Sequence, residues 1–86
     1  MFEFDEKKSN KNKAKHGIDF KSAVQLWTDQ FKLEIPARYI NEERYILIAM
    51  IDDECWSAVF TKRNKNIRII SVRKSRENEK ALYNKF

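Results

Sequence analysis

Residues 44–74, RYILIAMIDDECWSAVFTKRNKNIRIISVRK, decide the fold. Three apolar runs, 44–51, 55–63 and 67–74, are rich in β-branched and aromatic residues and have the length of strands. Asp52-Asp53-Glu54 and Asn64-Lys65-Asn66 separate them. Such short polar links make tight turns, and asparagine tolerates positive φ there. Strands joined this tightly run antiparallel. RYILIAMI is apolar on both faces, as a central strand should be.

Working outward, FKLEI (31–35) alternates, with Phe31, Leu33 and Ile35 on one face. Pro36 closes that run, which suits a strand end or a sheet edge. FEFD (2–5) reads as a short strand of its own. Residues 6–16 read as a helix stopped by Gly17, although Ala14 is its one apolar residue and such a helix gains little from packing. Asp5, Lys8, Asn12 and Lys15 share one of its faces by spacing. Asp19 can cap a second helix, where Phe20, Ala23, Val24 and Trp27 form an apolar stripe of about two and a half turns that ends at Asp29-Gln30. Ser75 can cap a final helix that docks Leu82 and Phe86 on the sheet, with Ala81 and Tyr83 beside them. The expectation is an α+β fold: a short N-terminal strand, two helices, a four-stranded antiparallel sheet and a C-terminal helix, with the helices against one face of a curled sheet.

An even loop in the last hairpin sets opposite those residues whose numbers sum to 129, so Thr61 faces Arg68 and Val59 faces Ile70. Trp56, Ala58, Phe60, Ile67, Ile69, Ser71 and Arg73 then share the core face. Ser57, Val59, Thr61, Arg63, Arg68, Ile70 and Val72 share the other. A bulge would reverse one strand's set. Arg68, between two isoleucines, is costly unless it reaches solvent or pairs with a carboxylate such as Glu43 or Glu34.

Length predicts a single domain over residues 1–86. A chain of this size buries roughly 60–65% of its unfolded surface, and six Phe, three Tyr and two Trp supply one core. No apolar run nears the roughly 18 residues of a membrane span, and the first residues lack a signal pattern. Cys55 stands alone in an apolar run, as a buried thiol would. These features point to a cytoplasmic protein without a membrane partner.

The formal net charge is +5, unevenly spread. Residues 1–16 carry +2, residues 17–57 carry −4 and residues 58–86 carry +7. Two basic ends around an acidic middle suggest a polyanionic partner on one side; a solubilising surface is the alternative. His16, the single histidine, precedes Gly17, the single glycine. It is either the end of a helix or a proton-transfer group in a basic pocket, and a helix end can be the device that places it there.

The pattern F-x-F-D-x-x-K-x-x-x-N-x-x-K-H-G-x-x-F over residues 2–20, with ERYILIA, FTKR, IRIISVRK, Glu79 and Tyr83, resembles the BrnT toxins over nearly the whole chain. The matching positions are Asp5, Lys8, Asn12, Lys15, His16, Gly17, Phe20, Arg44, Thr61, Arg63, Arg68, Ser71, Arg73, Glu79 and Tyr83. The turn at Asp52-Asp53-Glu54 lacks the glycine often found there. The resemblance implies a RelE-like fold and the toxin half of a type II toxin–antitoxin pair that cleaves RNA and blocks translation. It also implies a BrnA-type ribbon-helix-helix antitoxin, a hetero-oligomer of the two, and repression of operator DNA through the antitoxin.

RNA cleavage requires a proton removed from the 2′-hydroxyl, a stabilised phosphorane and a protonated leaving oxygen. The sequence has no compact set of metal ligands, so no metal or other cofactor is expected. One histidine rules out a two-histidine acid–base pair, and arginines can carry the charge stabilisation. The candidate catalytic residues are Arg63, Arg68, Arg73 and His16. The candidate RNA-binding residues are Lys8, Asn12, Lys15, Lys62, Lys65 and Tyr83. Core packing is an equal reading of Tyr83. Two other classes remain open at this point: a non-catalytic module binding nucleic acid through the same basic surface, and a protein-interaction module receiving an acidic segment.

Overall fold

A computed structural model describes residues 1–37 and 42–85. Its strands are β1 (Phe2–Glu3), β2 (Leu33–Ala37), β3 (Arg44–Ile51), β4 (Glu54–Arg63) and β5 (Asn66–Lys74). Its helices are α1 (Glu6–His16), α2 (Phe20–Ala23), which tightens into a 3₁₀ turn over Val24–Thr28, and α3 (Glu77–Lys85). The α+β class holds. The sheet differs from expectation: it has five strands in the order β1-β5-β4-β3-β2, with β1 parallel to β5, so it is mixed. The Ile67 amide donates to the Met1 carbonyl and helps join the N-terminus to that edge.

Both tight turns form where the polar links predict them, with positive φ at Asp52 and Asn64. β2 begins two residues later than expected and runs through Pro36, while Phe31 is 64% exposed outside it. β2 is the outer strand, which tolerates a proline that cannot donate to a neighbour.

The main correction concerns β5. Phe60 to Arg63 pair with Ile69 to Asn66 in the expected register. Between Phe60 and Val59 the register slips, and Val59 pairs with Ser71. Ile70 is the extra residue of a bulge, and side-chain parity inverts beyond it. Val72 therefore enters the core beside Ala58, fully buried, and not the opposite face. Ser71 and Arg73 leave the core face and join Val59, Ser57 and, further along, Arg68.

The core lies between the sheet and the Ile18–Leu26 stretch. Phe20, Phe60, Leu26, Leu47, Ile69 and Val72 are its largest wholly buried members, and Trp27 meets Phe60 edge-on at 5.3 Å. α1 adds no apolar side chain to it: Ser9 and Asn12 are its buried residues and Ala14 is exposed. The Ser9 hydroxyl oxygen accepts the Phe20 amide at 2.9 Å. A helix without an apolar stripe thus docks by hydrogen bonds, a route that periodicity does not reveal.

α3 lies on the face of the sheet that Ser57 and Arg73 share, opposite the face that packs α2, so the helices do not all sit on one face as expected; it too is held by polar groups. Leu82 and Ala81 are exposed, contrary to the expected docking of Leu82. Phe86, expected to dock with it, lies outside the described residues. Ser75 hydrogen-bonds Ser57 at 2.8 Å in place of capping the helix. The helix start is served by Glu79, whose carboxylate accepts the Arg76 amide at 2.8 Å, one half of a capping box.

Candidate nucleic-acid interface

α1 is placed by its two ends. Asp5 caps the start, its Oδ1 accepting the amides of Lys7 (2.8 Å) and Lys8 (3.2 Å). Gly17 ends it in the left-handed conformation, φ 85°, and donates its amide to the Lys13 carbonyl. Between them the helix runs beside β5, and Asn12 makes the junction. Asn12 Nδ2 donates to the carbonyls of Ile18 (2.8 Å) and Val72 (2.9 Å), and Asn12 Oδ1 accepts the Val72 amide (3.1 Å).

A groove of about 290 Å³ follows this junction, lined by Lys8, Lys11, Asn12, Lys15, His16, Ile70 and Ser71. The bulge forms its floor. Lys8, Lys11 and Lys15 are exposed, and His16 is half-buried at the helix end. Three ammonium groups and an imidazole therefore edge one groove. Two further clefts among the described residues are lined by Asp53 and Glu54, with Asp52 in one of them, and these carboxylates repel a polyanion.

Arg68 precedes the bulge, roughly 10 Å along the strand from Ser71 at about 3.3 Å per residue. Its guanidinium meets the Glu3 carboxylate at 3.4 Å, and Arg63 approaches the same carboxylate at 3.9 Å. The partner of Arg68 is thus neither Glu43 nor Glu34. Glu43 bonds the Tyr45 hydroxyl through its side chain and Thr61 through its carbonyl, while Glu34 bonds Lys62. Lys62 also lies 4.5 Å from the centre of the Tyr45 ring, on the face of the sheet that packs α2, and its hydrogen bond to Glu34 raises its pKa. Lys65 is exposed in the β4–β5 turn.

Arg73 and Tyr83 are engaged within the fold. Arg73 forms two parallel bonds to Glu79, at 2.7 and 2.8 Å. That guanidinium, helped by the Arg76 amide and the Ser57 hydroxyl and opposed by burial, holds the Glu79 carboxyl down at about 2. The Tyr83 hydroxyl donates to Asp29 Oδ2 at 2.6 Å. Burial, then this bond to a carboxylate, pushes the phenol up to about 12. Burial pushes Asp29 upward, but the bonds from Tyr83 and the Phe31 and Met50 amides outweigh it and leave its pKa below the ordinary carboxylate value.

The structure therefore gathers Lys8, Lys15 and His16 in one groove, sets Arg68 and Arg63 near one another on Glu3, and leaves Lys62 apart. Lys11, Ser71 and Glu3 were not singled out as site residues from sequence. For Lys11 the signal was present, since it stands three residues after Lys8 and four before Lys15.

The family model for BrnT, the ribonuclease toxin of type II toxin–antitoxin systems, matches residues 4–79. The chain belongs to the BrnT family. No individually curated protein matches it. BrnT membership makes this an endoribonuclease-type toxin with an antitoxin partner. The matched span holds the whole groove and both members of the Arg73–Glu79 pair, whereas Glu3 and Tyr83 fall outside it. No helix among the described residues is long and apolar enough to cross a membrane. Among them, no three His, Cys, Asp or Glu side chains gather as a metal site would require.

Proposed function

We propose that this BrnT toxin cleaves RNA without a metal ion, in the groove between α1 and the bulge of β5. The observation that carries this reading is the convergence of Lys8, Lys11, Lys15 and His16 on Ser71 along one channel. The lysines hold successive phosphates. His16 takes the proton of the 2′-hydroxyl or gives one to the leaving 5′-oxygen, and solvent water carries the proton at the other oxygen. The 2′-oxygen attacks phosphorus, the bond to the 5′-oxygen breaks, and the products are a 2′,3′-cyclic phosphate and a 5′-hydroxyl. Arg68, with Arg63, draws the scissile phosphate to the end of the track and stabilises the phosphorane. Arg73, its charge balanced by Glu79, supports the site by fixing β5 beyond Ser71 to α3, and Lys65 extends the basic track past the hairpin.

In the cell this activity blocks translation in the cytoplasm, in the manner of RelE-like toxins. A BrnA-type ribbon-helix-helix antitoxin neutralises it, and the hetero-oligomer represses its own operator DNA. The test is cleavage of a labelled single-stranded RNA by purified variants in excess chelator. His16→Ala and Arg68→Ala should each lose roughly 10²–10³ in rate. Wild-type cleavage by a folded Arg68→Ala protein sinks its role, and full dependence on an added divalent ion sinks the metal-free mechanism.

A further inference from the structure

The Asn12 carboxamide occupies an unusual place. β1 covers β5 at Ile67 and Arg68 and then ends, so past the bulge the outer edge of β5 has no strand beside it. The amide and carbonyl of Val72 point to that edge, and the Asn12 side chain meets both, as a neighbouring strand would. Its second amide hydrogen reaches the Ile18 carbonyl just past the end of α1. A single carboxamide thus joins the bulged strand, the helix and the turn after it. It is 7% exposed, and among the described residues no buried side-chain nitrogen or oxygen lacks a partner.

The two walls of the groove meet nowhere else through a buried hydrogen-bonded side chain among the bonds described. Ser9, the other buried residue of α1, ties the helix to Phe20 and not to β5. We infer that Asn12 is the positioning residue of the site: it fixes the bulge of β5 against α1 and so sets His16 and the lysines relative to Ser71 and Arg68. This rests on the groove being the cleavage site. Asn12 makes no contact with RNA in this role, because its three hydrogen-bonding groups are already engaged.

The chemistry supplies a discriminating substitution. In Asn12→Asp the ionised carboxylate keeps an acceptor for the Val72 amide but turns an oxygen towards two carbonyl oxygens. Protonation restores one donor. The variant should therefore regain function as pH falls, which a lost packing contact would not produce.

The experiment measures kcat and KM for cleavage of a short single-stranded RNA, at a temperature where circular dichroism shows each variant folded. Asn12→Asp should lower kcat at least tenfold at pH 8, change KM less than threefold, and recover kcat towards pH 5 relative to wild type. Ser9→Ala, which loses a buried bond of the same helix, should keep kcat within threefold. Wild-type kcat in folded Asn12→Asp, or an equal loss in Ser9→Ala, overturns the inference. If His16→Ala and Lys11→Ala cleave normally as well, the groove reading itself falls. Should Asn12→Asp not fold, amide exchange in the wild-type toxin decides: strong protection of the Val72 amide supports the clamp, and exchange at the rate of an open edge overturns it.

Discussion

Arg73 and Glu79 face each other through two parallel hydrogen bonds, across the junction of β5 and α3. The Glu79 carboxylate also accepts the Ser57 hydroxyl and the Arg76 amide. Four donors on one carboxylate explain why it stays ionised far into acid.

The pH dependence follows. Glu79 titrates at about 2 in the fold against 4.5 for the free side chain. A lowered carboxylate pKa contributes stability that is complete above the unfolded value and is lost as pH falls through the folded one. Urea unfolding of the wild type should lose on the order of 2 kcal/mol between pH 6 and pH 2 from this group. Glu79→Gln should be less stable at pH 6 and show a flatter acid limb.

Tyr83→Phe removes the hydroxyl that Asp29 accepts and should cost about 1 kcal/mol in thermal or urea unfolding. With its pKa raised from 10 to about 12, Tyr83 stabilises fully below pH 10 and progressively less as pH climbs through 12. Alkaline absorbance titration should show a late-titrating phenol that is lost in Tyr83→Phe.

Glu3→Gln should leave stability within about 0.5 kcal/mol, since its ion pairs are partly exposed. It should tighten RNA binding, because Arg63 and Arg68 no longer share a carboxylate with the incoming phosphate. Anisotropy titrations in a His16→Ala background should show a gain of roughly two- to threefold at low salt that fades as salt screens it.

Gly17→Ala tests the helix stop. The left-handed φ of 85° is strained for any residue with a Cβ, but no atom lies within 4 Å of where that Cβ would sit. The cost is therefore backbone strain alone, about 1 kcal/mol, or about 4–8 °C in Tm for a chain this small. Gly17→Asn should lose less.

Local rules reached much of this fold. Apolar runs and turn residues located β3, β4, β5 and both tight turns, and Gly17 marked the end of α1, because each depends on a few adjacent residues. Contacts distant in sequence were not legible in that way. β1 is two residues long and finds its partner at Ile67 and Arg68. The slip at Ile70 accompanies a carboxamide sixty residues upstream of Val72. α3 was expected to dock by Leu82, yet Glu79 and Tyr83 hold it, since hydrophobic patterning does not register ionic anchors. For the candidate site, helical spacing brought Lys8 and Lys15 to one side of α1. The closeness of Arg63 to Arg68 followed from the hairpin, and their common carboxylate at Glu3 did not.

The bulge makes the pairing register of β5 a functional quantity. A ladder that ran on without it, Val59 against Ile70, would return Ser71 and Arg73 to the core side and carry Val72 out of it. The Arg73 guanidinium would then stand beside Trp56 on the core face, and the anchor of the C-terminal helix would vanish with it. One slipped pairing therefore assigns the two sides of β5 beyond Phe60, and Ile70 is the residue whose loss would leave that assignment in place, since its neighbours already pair as though it were absent.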